Sequence, residues 1–254
     1  RGHEVVCLVR AGENRTEDMF SGAAVRFGEA TDPMSIAQDA VRGEMFDTVV
    51  SCMASRTGTP KDAWAVDYQA NSNALSAAKA AGVTHFVLLS AICVQKPRLA
   101  FQRAKLEFEQ ELMGSGVDYS IVRPTAFYKS LSGQLDRVKA GKPYLVFGDG
   151  RQTACKPISD ADLGAYLAAC VDDPTKRNRV LPIGGPGAAI TPRDQGERLF
   201  ALLGREPRFA QVPVALLDTI IFTLTNLGAL FPPLRDKAEL ARIGRYYATE
   251  SMLV

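Results

Sequence analysis

Short β-rich runs alternate with helix-length amphipathic segments through the first half of this chain, and that alternation fixes the class of fold. VVCLV, TVVSC and FVLLS are nearly continuous apolar runs, as expected of strands buried on both faces. Strands are predicted at residues 4–9, 24–27, 48–52, 84–89 and 118–122, and helices at 33–43, 61–81 and 99–114. The order specifies an α/β fold: a Rossmann-type, doubly wound parallel sheet covered by helices on both faces. Past Phe127 the pattern loosens. Helices are predicted at 133–141, from the Ser159 cap to about 171, and at 192–203, with strands at 144–147, 180–183 and 208–212. This change divides the chain into a main domain over 1–127 and a smaller mixed α/β region over 128–254, interleaved with it.

The 254 residues are 46% hydrophobic, enough for a substantial core, and the net charge of +2 is spread in sign along the chain. Nothing in that balance marks a nucleic-acid footprint. His3 and His85 are far apart and the five cysteines show no C-x-x-C spacing, so no zinc or iron–sulfur site is expected. Cys7 and Cys52 fall in apolar runs and read as buried thiols of a reducing compartment. Residues 216–231 are apolar but contain Asp218, Thr223, Thr225 and Asn226. The run is too short and too polar to span a bilayer; it reads as a buried or lid helix, with membrane-surface contact as the lesser reading. No targeting pattern is visible. Arg1-Gly2-His3 reads as a glycine-capped helix end running straight into a strand, as in a fragment that lacks its first strand and glycine loop.

The richest stretch for chemistry runs from Leu88 to Lys129. One apolar run stops at Ser90, an amphipathic helix carries Lys105, and a second run stops at Arg123-Pro124-Thr125. A hydroxyl, an amine and a guanidinium thus fall near the ends of neighbouring strands, where open α/β sheets bind ligands. Phe101 lies one helical turn before Lys105 and either lines the site or packs in the core. Ser90 either bonds a ligand or caps its turn. Arg10 closes the first strand, where a guanidinium accommodates the 2′-phosphate of NADP, with Arg15 as a helper. Thr31-Asp32 either edges an adenine pocket or caps a helix. Ser51, Cys52, Met53 and Ala54 end the third strand, beside the expected nicotinamide ribose. Asp67 and Asn71, one turn apart, are placed to bridge backbone groups. Gly184-Gly185-Pro186-Gly187 contains proline and comes too late to be a phosphate loop. Lys129, Lys142 and Lys156 are loose cations.

HEVVCLVR, LLSAICVQKP, FQRAK, RPTAFYKSLSG, CKPISDADL and GRYYATESMLV together resemble the divinyl chlorophyllide 8-vinyl-reductases. These are atypical short-chain dehydrogenases of the NmrA-like, isoflavone-reductase-like kind. In short-chain dehydrogenases the place of Phe101 normally holds the tyrosine of a Y-x-x-x-K motif. The resemblance implies NADPH as cofactor, a divinyl chlorophyllide as substrate, and a chloroplast or the cytoplasm of a photosynthetic bacterium as location. With that chemistry Lys105 and Ser90 are the catalytic candidates, and Tyr128 or a bound water is the candidate proton donor. From their places at the strand ends, cofactor contacts are expected of Arg10, Asp32, Ser51, Cys52, Met53, Ala54, Ser90, Lys105, Arg123, Pro124 and Thr125. Two other functions fit the missing tyrosine: an NADP(H)-sensing scaffold, or a reductase of a smaller aromatic substrate. No nucleic-acid partner and no transmembrane segment are expected, whereas peripheral membrane contact is compatible with the apolar run.

Overall fold

The computed structural model describes residues 2–10, 12 and 20–254; Arg1 and Arg15 lie outside them. Every pairing between the described strands is parallel. β1 (Val6–Val9) pairs with β2 (Ala24–Phe27). β3 (Thr48–Ser51), β4 (His85–Leu89), β5 (Asp118–Pro124) and β7 (Arg179–Ile183) form a four-stranded sheet in that order. The parallel order of these strands is that of a doubly wound sheet. β6 (Tyr144–Phe147) pairs with β8 (Phe209–Val212) in the second half.

Successive side chains of a strand point to opposite faces, and β4 buries both. Phe86 and Leu88 enter a core with Leu75, Ala78, Phe108, Leu112 and Ile121. These come from α3 (Asn71–Ala80), α4 (Ala100–Met113) and β5. Val87 enters a second core with Val122, Ile158, Leu163, Leu167 and Cys170, covered by α7 (Asp160–Asp172). Two helical layers explain why β4 reads as an unbroken apolar run. Phe108 alone, wholly buried, contributes about 2–3 kcal/mol by leaving water.

Two local features position the residues at the strand ends. α2 (Pro60–Ala63) passes through a π-helical segment (Trp64–Ala70) into α3. The amide of Asn71 donates to the carbonyls of Val66 and Asp67 at 3.2 Å each, and a side chain inserted into the backbone ladder widens a helix in this way. The first turn of α4 is closed by side chains. Gln102 Oε1 accepts from the N–H groups of Arg98 (2.7 Å) and Leu99 (3.0 Å). Glu239, on the C-terminal helix α10 (Pro233–Thr249), accepts from the N–H of Ala100 at 3.0 Å.

Several expectations change. The helix after β5 begins earlier than residue 133, as α5 (Tyr128–Leu131), a 3₁₀ turn and α6 (Leu135–Lys139). The Phe127–Ile158 bridge fixes the chain there and hands it directly into a helical turn. Beyond α8 (Pro192–Leu202), the apolar run forms α9 (Val214–Leu227), which buries no residue at all. Only its stripe of Val214, Leu217, Ile221 and Leu224 is half-buried, where α9 packs along α10. α10 itself was not expected, because its charged residues recur on every turn. Cys7 is half-exposed and Cys52 exposed, not buried, since each belongs to the outer strand of its sheet fragment or its end. Gly185 sits against backbone: a Cβ there would lie 1.9 Å from the Pro157 carbonyl oxygen.

His85 opens β4 with no exposure. Ser120 Oγ donates to the Lys176 carbonyl at 2.9 Å, so it accepts from His85 Nε2 at 2.9 Å and fixes that nitrogen as the protonated one. Burial, and then the Arg177 guanidinium, push the imidazole pKa below its ordinary 6.5. The unfolded chain therefore takes up a proton before the folded one does. Folding stability is complete above about pH 6.5 and declines as the pH falls through and below it. Melting temperature should fall between pH 7.5 and 5.5, and His85→Gln should flatten that slope; an equal slope in the variant removes His85 as its source.

Candidate active site

Three neighbouring strands end side by side. Ser51 of β3 is paired with Leu88 of β4, and Leu89 with Val122 of β5. Residues 52–54, Ser90 and 123–125 therefore share one crest at the carboxyl ends of the strands. Cys52 and Ala54 are exposed on it, Met53 is half-buried, and Pro124 is buried.

Beneath the crest lies a band of buried charge. Lys105 is only 8% exposed, and its Nζ lies 2.9 Å from Oδ1 of Asp67, a side chain with no exposure. The same Oδ1 accepts the Ser55 N–H at 3.2 Å, while Oδ2 has no partner among the described residues. The π-helical segment brings Asp67 to this place from below. Asp67 occupies one of the three ammonium protons and leaves the others to donate elsewhere.

One turn further along α4, Glu109 is also wholly buried. It accepts from Ser90 Oγ at 2.5 Å and from Arg123 Nε at 3.2 Å, and pairs with the second nitrogen of that guanidinium. Ser90 and Arg123, expected to face a ligand, are thus turned onto Glu109. The cause is solvation: a carboxylate taken out of water needs donors on both oxygens. Ser51 is likewise engaged, donating to Asn71 Oδ1 at 2.5 Å, and Thr125 donates to the Lys156 carbonyl. Asp67 and Asn71 do hold backbone groups. Glu109 was missed in sequence, although Phe101, Lys105 and Glu109 recur every four residues along one stripe.

The remaining residues lie further out. Asp32 caps α1 (Pro33–Ser35), accepting from the Met34 N–H at 3.0 Å. Arg10 Nε lies 3.1 Å from Glu29 Oε2, both half-exposed at the ends of β1 and β2. Tyr128 is 52% exposed at the start of α5. Lys129 and Lys142 are exposed and Lys156 is half-buried.

Phe101 is covered from the C-terminal half. It packs with Cys93, Leu99, Ile243 and Tyr246, and Tyr246 donates its hydroxyl proton to the Cys93 carbonyl at 3.0 Å. Burial pushes the Cys93 thiol up. Gly58, at φ +68°, lets the loop after β3 run close beneath: a Cβ there would meet Ile243 at 3.0 Å and Phe101 at 3.4 Å. A cavity of about 160 Å³ opens nearby, lined by Gln134, Leu145, Gln152, Thr153 and Tyr247 among others.

A strand crest over a lysine with donors to spare suits a dinucleotide. The NAD(P)H-binding family model matches residues 1–174. The divinyl chlorophyllide a 8-vinyl-reductase of Zea mays is 52% identical over the whole of this chain, which covers 67% of that protein. The chain belongs to this reductase family. Its Arabidopsis thaliana relative of the same name is 51% identical, again over the whole chain, with 64% of that protein covered. The chain thus spans about two thirds of the length of the reductases it matches. Among solved structures, the Escherichia coli NADPH-dependent quinone oxidoreductase complexed with NADPH superposes with a TM-score of 0.68. It is 20% identical, with 94% of this chain and 80% of that one covered. That likeness establishes the shared Rossmann-type fold.

In this member of the reductase family the Glu109–Arg123 pair joins α4 to β5 under the crest. Glu109→Gln leaves Arg123 charged and unbalanced, at a cost of about 3–5 kcal/mol. Glu109→Gln combined with Arg123→Met should recover most of that loss in urea unfolding; additive losses would mean the two residues are not coupled.

Proposed function

We propose that this chain carries out the NADPH-dependent reduction of the 8-vinyl group of a divinyl chlorophyllide to ethyl. In a eukaryote that reaction belongs to the chloroplast, as the names of the plant relatives have it, and in a photosynthetic bacterium to the cytoplasm. The observation that carries the reading is 52% identity to the maize reductase along the entire chain. The geometry supports it at one point. Phe101 stands without a hydroxyl one turn before Lys105, and the lysine is nevertheless held in place by Asp67.

The residues present fit the cofactor. Lys105 keeps two donors unused by Asp67, and these suit the vicinal hydroxyls of a ribose. In this reading the backbone of Met53 and Ala54 runs beside that ribose, with Ser51 below, and Ser90, Arg123, Pro124 and Thr125 shape the adjacent crest. Arg10 takes the 2′-phosphate, keeping part of its guanidinium fork free of Glu29. Asp32 edges the adenine side. Bound NADPH supplies a hydride.

The vinyl group is conjugated with the macrocycle, which spreads the negative charge left when its outer carbon is reduced. No carbonyl oxygen has to be protonated, so a phenol at the place of Phe101 has no role to fill. The inner carbon still needs a proton. We assign that to Tyr128 or to bound water, and Tyr128 is exposed at the start of α5. α10, seated on Phe101, keeps bulk water from the lysine side of the site. No helix of the described residues is long and apolar enough to cross a membrane, and a peripheral contact with the lipid that holds such pigments belongs to this reading.

Incubation with NADPH and divinyl chlorophyllide should shift the Soret band to the blue; cofactor binding without turnover would point to a sensor instead. Lys105 is tested in a background that tolerates its loss. Asp67→Asn with Lys105→Met should fold and lose at least about 100-fold in kcat/KM. Activity near that of Asp67→Asn alone removes Lys105 from the reaction.

A further inference from the structure

The cavity of about 160 Å³ lies between β6 and the C-terminal helix α10, and its walls include Leu145, Phe147, Thr153, Gly244 and Tyr247. None of the residues that line it carries a charge. Two of them weaken the fold and receive nothing back from their neighbours.

Gly244 stands inside α10, where glycine is the poorest helix former after proline. Close packing is the usual reason for a glycine within a helix, but a Cβ at this position would meet no atom within 4 Å. The missing side chain leaves room in the cavity and serves no neighbour. Thr153 is the second case. It is only 7% exposed, and its hydroxyl has no hydrogen-bond partner among the described residues. Buried hydroxyls normally find one. An unspent hydroxyl in the wall of a cavity is placed to donate to an acceptor that enters it.

Tyr247 joins this cavity to the lysine side of the crest. Its hydroxyl contacts the Cys93 thiol, and its ring meets that of Tyr246 edge-on at 5.7 Å. Cys93 lies in the 3₁₀ turn Ile92–Gln95 that follows Ser90, close enough to Lys105 for the ammonium to act on the thiol. Burial raises the phenol above its ordinary range, so Tyr247 stays neutral.

Charge and size select the occupant. A carboxylate or phosphate would find no counter-charge in an uncharged cavity. The volume is below that of pockets enclosing a whole ligand, so it holds part of a larger molecule. Apolar and aromatic walls with one free donor suit the edge of a flat ring that bears a carbonyl oxygen.

We infer that the cavity takes an uncharged, carbonyl-bearing edge of the flat pigment, with Thr153 donating to the carbonyl and Gly244 leaving the space, while the rest of the ring extends past Tyr247 toward Lys105. This rests on the reductase reading and names residues that select its substrate.

The test titrates the full chain with divinyl chlorophyllide, without NADPH, and follows the Soret absorbance of the bound pigment. Gly244→Leu should melt at or above the temperature of the parent, because leucine favours the helix and its side chain enters open space. It should nevertheless weaken pigment binding at least about tenfold. Thr153→Val keeps the shape and removes the hydroxyl; it should melt no lower and weaken binding about three- to tenfold. Thr153→Ser, which keeps the hydroxyl, should bind as the parent does. If Gly244→Leu unfolds, the two Thr153 variants decide alone. Parent affinity in folded Gly244→Leu or in Thr153→Val overturns the inference, as does a Thr153→Ser variant that binds as weakly as Thr153→Val. A parent that binds no pigment overturns the reductase reading itself, whereas unchanged affinity in the variants of a pigment-binding parent overturns this inference alone.

Discussion

Two ion pairs, Asp67–Lys105 and Glu109–Arg123, lie one helical turn apart under the strand crest, with both carboxylates wholly buried. Burying such charges is costly, and the attraction within each pair offsets the cost only while the geometry holds. That constraint organises the centre of the molecule. The π-helical segment exists where Asp67 must reach Lys105, Ser90 is turned to the second carboxylate, and Arg123 is drawn under the sheet instead of out of it. Charge pairs fixed in this way suit the accurate positioning of a bound group.

The division of labour along α4 is specific. Its Ala104–Phe108–Leu112 stripe holds the helix to the sheet, and its Phe101–Lys105–Glu109 stripe faces the polar band. An alanine at Phe108 would remove packing, whereas a change at Glu109 would remove a charge balance. The first acts through volume and the second through the balance of buried charge.

The fold was legible because strands buried on both faces leave unmistakable apolar runs; β4 is the plainest case. The capping role of Ser159, the helix with Lys105 and the strand ends could be read from punctuation and period. Glu109 could not, because a glutamate in a helix normally points to water and only tertiary burial makes it a partner. α10 was hidden for a related reason: its charged residues are consumed by contacts with α9 and α4 that local pattern does not encode. Of the two readings of α9, buried or lid helix, the buried one failed, because apolar composition does not say what covers a surface.

Glu239 completes the first turn of α4 from 139 residues further along the chain. A helix start that depends on so distant a residue cannot be finished during early synthesis. The cofactor half can collapse around its sheet as it emerges, but the turn ahead of Lys105 lacks its Glu239 acceptor until α10 is made and docked. Completion of the lysine side of the site therefore waits on the docking of α10, so a helix of the second half sets when the first half is finished.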